Sequence, residues 1–391
     1  MDKRLAAEHG IVCRLPGDPL GYFGWPTVAR LEDGTLLVAS SGLRSAHVCP
    51  WGKTVLHVSR DEGRTWSPSR VIQDSPLDDR DAGVLDLGGG HVLVSWFTSD
   101  TRKYVHEDWA VRMMGEEGLA AWNATLSTWT EEMVSRWLGS WVLLSADGGE
   151  TWGEPIRVPV SAPHGPIRLP SGDLLYLGKR FVTGWDEMSA GAIVAARSED
   201  GGRSWEELGA VPVCAGTSPA NYHEPHVLEL PSGRLLGAIR IENAAGADLA
   251  ESGIPSFSVM QTESEDGGRT WSPARPLPVA PASRRCGVGC SGGPPHLLRH
   301  SSGTVLLTYG YRQSPYGQRV ALSEDDGATW EPDWIIRDDG PDGDLGYPST
   351  VELGDGSLFT VCYQRVEGDE KCSLLWSRWA LGAQASSLLG A

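Results

Sequence analysis

The stretch Ser264–Trp271, SEDGGRTW, is the clearest copy of an octet that occurs five times along the chain. The other copies are Ser59–Trp66 (SRDEGRTW), Ser145–Trp152 (SADGGETW), Ser198–Trp205 (SEDGGRSW) and Ser323–Trp330 (SEDDGATW). Each follows a short apolar run, such as Thr54–Val58 or Trp141–Leu144, and precedes another strand-like run. That placement predicts a tight turn between antiparallel strands. The residue types suit the turn: Asp bonds the loop's own amides, Gly takes a positive φ, and Trp folds back to cover the hairpin. This is structural chemistry, and no catalysis is read from it.

A second repeat lies between the octets. Six segments share a strand, a turn ending in Gly and a returning strand: Gly24–Ser40, Arg80–Phe97, His164–Arg180, His223–Arg240, Gly293–Gly310 and Gly346–Tyr363. Their turn glycines are Gly34, Gly90, Gly172, Gly233, Gly303 and Gly356, and the intervals between them suit a four-stranded antiparallel blade rather than a strand-helix unit. Six such blades around an axis make an all-β, six-bladed β-propeller, read here as one unit over residues 1–391. The last blade carries Ser373–Trp379 in place of the octet, and Gly10–Leu15 (GIVCRL) is expected to supply its missing outer strand. Residues 99–140 form an insertion in blade two. In it Leu119, Trp122, Leu126, Trp129, Met133 and Trp137 recur at helical spacing and end at Gly139. Such a stripe is expected to pack on the blade or to form a lid or a homo-oligomer surface.

Composition bounds the rest. The 391 residues include 49 Gly, 17 Trp and 7 Cys, with a formal net charge of −18. That charge disfavours nucleic acid or an anionic membrane as partner. No apolar run is long enough for a membrane span. Met1–Gly10 carries Asp2, Lys3, Arg4 and Glu8 without an apolar stretch, so no secretory signal is read and a cytoplasmic location is expected. An odd number of scattered cysteines points to reduced thiols. Cys286 and Cys290 stand close together without a second pair, so neither a metal site nor a cofactor is expected. Asn123-Ala-Thr125 fits a glycosylation acceptor, taken as chance in the absence of a signal.

In a propeller, the first hairpin of each blade returns both its ends to one face near the axis. One fixed offset before each turn glycine therefore gives six positions around a common mouth: Trp25, Asp81, Pro163, Glu224, Pro294 and Tyr347. The returning ends are Ser41, Phe97, Lys179, Arg240, Gly310 and Tyr363, with Arg44, Arg180, Arg312 and Gln364 just beyond. Glu224 and Arg240 thus end one hairpin side by side. Titratable groups clustered in a cleft are site candidates. His164, His223, His226 and His296 fall within a few residues of the ring; a shared metal is one reading, but His223 and His226, three apart on a strand, face opposite ways.

The octets in a six-blade repeat resemble the Asp-box repeats of the sialidase (neuraminidase) superfamily over nearly the whole chain. The box also occurs in non-enzymatic propellers, and the order of mouth residues is more specific. Superfamily sialidases carry a Glu followed some fifteen residues later by an Arg, as Glu224 and Arg240 do, and later a Tyr opening a YS-type strand, matched by Gly346-Tyr347-Pro348-Ser349. The resemblance implies that Tyr347 is the nucleophile, that Glu224 takes its proton, and that arginines grip a substrate carboxylate. A neutral Tyr approaches an anionic sugar without charge repulsion.

The departures are as informative. The Arg-Ile-Pro motif of the superfamily's first blade reads Phe23-Gly24-Trp25-Pro26, so one carboxylate-binding Arg is absent. Arg44 matches the second early Arg and is expected near the ring hydroxyls, but no Asp follows in Ser45–Pro50 to act as acid/base. That role passes to Asp81, to a flanking member of Asp78-Asp79-Arg80-Asp81, or to His47. A supporting Glu of the superfamily appears here as Gln364. Of Arg312 and Arg319, Arg312 is preferred as the next triad member because it ends the blade-five hairpin. Asp79, His164, His226 and Gln364 are expected to contact the sugar. The implied activity is an exo-acting, retaining glycoside hydrolase that releases a terminal α-linked acidic sugar, sialic acid or a related nonulosonic acid, with a uronic or neutral sugar weighed beside it. Two other classes stay open: a polysaccharide lyase using Tyr347 and His226, and a non-catalytic glycan-binding propeller.

Overall fold

Six antiparallel sheets meander outward from a shared axis in a computed structural model that describes residues 3–181, 191–244, 246–278 and 293–382. Cys286 and Cys290 lie outside the described residues. Blade one runs from the innermost strand Tyr22–Arg30 through Leu36–Arg44 and Lys53–Ser59 to Arg70–Gln73. The innermost strands of blades two, four, five and six are Asp78–Gly88, Tyr222–Glu229, His296–Arg299 and Gly346–Glu352. In blade three the innermost strand is broken into Val160–Ser161 and Ile167–Arg168, both paired with Leu174–Arg180. Pro163 and Pro166 lie in the gap and offer no amide hydrogen to a ladder. The architecture is the expected six-bladed propeller with four-stranded blades.

The ring closes through its ends. Ala7–Cys13 pairs antiparallel with Cys372–Trp379, so the amino-terminal segment supplies the outer strand of blade six, three residues earlier than the expected Gly10–Leu15. The strand stops short of Leu15 because that carbonyl accepts from the Asp18 amide in a turn (3.2 Å) and Pro16 cannot donate.

The core is six wedges between neighbouring blades. Leu37, Leu56, Val84 and Val94 join blades one and two, and Val28, Phe359, Val361 and Trp376 join blades one and six. The second strands are buried along almost their whole length, as in Leu36–Arg44 and His91–Ser99, because both faces meet a neighbouring blade.

The octets hold these wedges at the rim. In Ser264–Trp271 the Ser264 hydroxyl accepts from the Gly268 amide (2.9 Å), Asp266 accepts from the amide and hydroxyl of Thr270 (2.8 and 2.7 Å), and the Trp271 indole donates to the Gly268 carbonyl (3.0 Å). Gly268 has φ +92°, and a Cβ there would lie 3.2 Å from Ala195 Cβ in blade three. Glycine suits the left-handed backbone there, and the close approach of the preceding blade leaves a Cβ little room.

The blade-two insertion folds as α1 (Asp108–Leu126), kinked at Gly115 (φ 65°), and α2 (Glu131–Trp137), whose first turn is capped by the Thr130 hydroxyl accepting from the Met133 amide. Trp122 and Trp129 are buried, and the Trp51 indole donates to Thr125 (3.0 Å), tying α1 to the loop after Arg44. Two of the tryptophans of the stripe therefore pack inward, and Leu119, Leu126, Met133 and Trp137 are partly buried beside them. Among the described residues no helix is long and apolar enough to cross a membrane.

Candidate active site at the mouth of the propeller

The site begins with a backbone irregularity repeated from blade to blade. Trp25, Asp81, Glu224 and Tyr347 have φ of 55°, 50°, 50° and 52°. Each sits at a break in register between the first two strands of its blade: Gly24/Thr27, Arg80/Gly83, His223/His226 and Gly346/Ser349. A bulge with its extra residue in the left-handed region re-aims the side chain, here toward the axis. Left-handed backbone at bulky residues is costly and concentrates at functional sites. Four of the six ring positions picked out from the turn glycines thus carry one strained conformation; the other two, Pro163 and Pro294, stand beside Gly165 and Gly293.

The Tyr347 hydroxyl donates to Glu224 Oε1, and Arg240 donates to Glu224 Oε2 and to Glu242. Burial opposes the charge on Glu224, but Arg240 and the Tyr347 hydrogen bond outweigh it and hold the carboxyl below its ordinary range. Tyr347 is pushed well above the usual phenol value by burial and by the charges of Glu224 and Asp81. Asp81 is raised to about 7, by burial first and by Glu224, against the pull of Arg80. Two carboxyls of one mouth are driven apart in acidity, one ionised and one able to carry a proton near neutrality. Arg312 donates through Nε to the Leu345 carbonyl (2.9 Å) and its charge bears on Glu224.

His47 has 41% of its side chain exposed; its Nδ1 lies 3.0 Å from Asp344 Oδ1, to which the Tyr22 hydroxyl also donates (3.0 Å). Trp25, Tyr347 and Tyr363 form an aromatic wall with ring centroids 5.8 to 6.3 Å apart.

Five residues expected at the sugar stand elsewhere. Arg44 is fully buried: both ends of its guanidinium bind Asp78 (2.6 and 2.9 Å), and it donates to the carbonyls of Ala46 (3.3 Å) and His47 (3.1 Å). It braces the loop that carries His47. Asp79 is equally buried and accepts from the amide and hydroxyl of Ser75 (2.8 and 2.6 Å) and from the Trp96 indole (3.1 Å). His164 and His226 sit one layer below the ring with His296, their ring centroids 4.4 to 5.8 Å apart. They face a cavity of about 670 Å³ lined by residues on the hairpin-turn side, such as Arg30, Asp86 and Glu229. One or two residues past the bulge is enough to descend a layer at about 3.3 Å per residue. Gln364 donates to Asp339 (3.0 Å), whereas Tyr363 faces the mouth, because consecutive strand residues point to opposite faces. Among the described residues no group of His, Cys, Asp or Glu is arranged to hold a metal ion.

Residues 108–360 match the BNR repeat-like domain. The chain belongs to the BNR repeat-like family. No curated protein matches it significantly. Among solved structures it is similar to a protein of unknown function from Dyadobacter fermentans (22% identity, TM-score 0.71, covering 96% of this chain and 98% of that one). It is also similar to the intramolecular trans-sialidase of Ruminococcus gnavus (17%, 0.62, 95% and 97%) and to the α-L-arabinofuranosidase of Fusarium graminearum (14%, 0.57, 97% and 98%). At these identities the likeness is one of fold.

Within this BNR propeller the residues that sequence reasoning missed are Arg80, Tyr22, Asp344 and Glu242. Arg80 had a signal, since it precedes a ring residue. Asp344 and Tyr22 had none, because their contact joins blades one and six across 322 positions.

Proposed function

We propose that this protein is an exo-acting, retaining glycoside hydrolase that removes a terminal α-linked acidic sugar, a sialic acid or a related nonulosonic acid. The observation that carries this reading is the relay Tyr347–Glu224–Arg240 facing a protonatable Asp81 in one strained ring. As the Tyr347 oxygen attacks the anomeric carbon, its proton passes to Glu224 and Asp81 protonates the departing glycosidic oxygen. The glycosyl–tyrosine intermediate is then opened by water. Asp81, now a carboxylate, takes a proton from that water, and the leaving Tyr347 oxygen recovers its own from Glu224. Arg240 keeps Glu224 ionised and able to accept. A lyase that uses His226 as base loses its support, since that imidazole lies beneath the mouth with its Nδ1 accepting from the Leu297 amide (3.0 Å).

The test is a panel of aryl glycosides of sialic, other nonulosonic and uronic acids, with an arabinofuranoside as the neutral member, together with trapping by a fluorinated sugar. Label on the Tyr347 peptide supports the mechanism. Turnover of an acidic glycoside with label on another residue, or undiminished turnover by Tyr347→Phe, overturns it.

A further inference from the structure

Blade one contributes an indole to the mouth where blades two, four and six contribute Asp81, Glu224 and Tyr347. A cation lies over that indole: Arg80, from the neighbouring strand, places its Cζ 4.3 Å from the Trp25 ring centroid. Arg44 also approaches Trp25 (4.8 Å), but its nitrogens are taken up by Asp78, Ser41 and backbone carbonyls, and no part of it reaches solvent. Arg80 differs on each count. Its side chain donates no hydrogen bond to the described residues, and its nearest carboxylate, Asp78 at 3.7 Å, is already held at both oxygens by Arg44. Its side chain keeps 13% of its surface.

An aromatic face attracts a guanidinium and fixes its plane but satisfies none of its five N–H donors. Stacking therefore leaves Arg80 oriented, charged and with its donor edge unused, which is what binding of a planar oxyanion requires. Its position over the Trp25 ring puts it at the mouth, where its charge is felt by Asp81 and, together with that of Arg312, by His47.

We propose that Arg80, seated on Trp25, is a substrate-binding residue that takes the carboxylate of the acidic sugar. This rests on the glycosidase reading for the identity of the ligand, but not for its own test. It also couples recognition to chemistry. The Arg80 cation disfavours the proton on Asp81, so a bound carboxylate that neutralises Arg80 favours that proton at the moment it is needed.

The test is equilibrium binding of free N-acetylneuraminic acid and D-glucuronic acid, each beside its methyl ester, to the full chain, measured by calorimetry. Wild type is expected to prefer at least one acid over its ester. Arg80→Met should weaken binding of that acid at least about tenfold, as expected for a lost charge-assisted contact, and leave the ester unchanged. Arg80→Lys, which keeps the charge without the fork, should fall between and guards against a folding defect in the first variant. Equal binding of acid and ester by wild type, or undiminished binding of the acid by Arg80→Met, overturns the proposal. If the acid binds through Arg80 and no glycoside is cleaved, the hydrolase reading fails and this one stands.

Discussion

The hydroxyl of Tyr347 donates its hydrogen to Glu224, a residue 123 positions earlier, and both occupy the same left-handed bulge in blades six and four. The pair is set by two backbones, not by side-chain flexibility. Tyr347→Phe and Glu224→Gln should therefore each lower kcat by about 10²–10⁴ while leaving affinity for a product sugar within a few-fold. Steady-state kinetics on the responding aryl glycoside, paired with calorimetry on the free sugar, check this.

Asp81 sets the alkaline limit. With its carboxyl raised to about 7, the proton-bearing form is lost as pH rises through that value, so kcat/KM should fall above neutrality. In Asp81→Asn the residual rate should be low and without that limb. Stability carries the same sign: a folded-state value raised above the ordinary 3.8 contributes stability that is complete below about 4 and lost as pH rises through about 7. Asp81→Asn should accordingly lose less Tm than wild type between pH 5 and pH 8, as read by differential scanning calorimetry.

The octets set the acid limit. Hydrogen bonds from the octet's own Thr or Ser, aided by further amides and hydroxyls within the turn, hold Asp61, Asp147, Asp200 and Asp266 at about 2. Depressed carboxyls contribute stability present above their unfolded value and lost as pH falls through the folded one, so unfolding should steepen between pH 4 and pH 2. Circular dichroism on titration to pH 2 measures it, and replacing all four residues by Asn should flatten the acid dependence.

Arg44 separates a structural from a substrate role. Arg44→Met leaves Asp78 as a buried carboxylate with only the distant Arg80, and should cost about 3–5 kcal/mol of stability. Chemical denaturation should show that loss. A raised KM with unchanged stability would contradict the bracing role.

Repetition makes the blades and the mouth ring legible in the sequence: turn glycines recur, and one offset from them reaches the four left-handed positions of the mouth. The layers beneath were not legible, because His226 differs from Glu224 by two residues along a strand and nothing in the residue types tells mouth from channel. Gln364 was misplaced by alternation, which counting to a returning end leaves undecided by one. Contacts between blades, such as His47 with Asp344, have no local pattern at all. The resemblance points to Arg44 and the nearness of Asp81 points to Asp79, but both are buried and brace the blade instead.

The repeated bulge has an evolutionary meaning. A conformation imposed by the strand pair, and not by the residue it presents, works as a socket. Whatever side chain occupies it is delivered to the axis, and at Trp25 and Tyr347 it also packs into the wedge between blades one and six. Trp25, Asp81, Glu224 and Tyr347 present four different chemistries from one backbone conformation. Changes in what the mouth binds should therefore arise by single replacements at these four addresses.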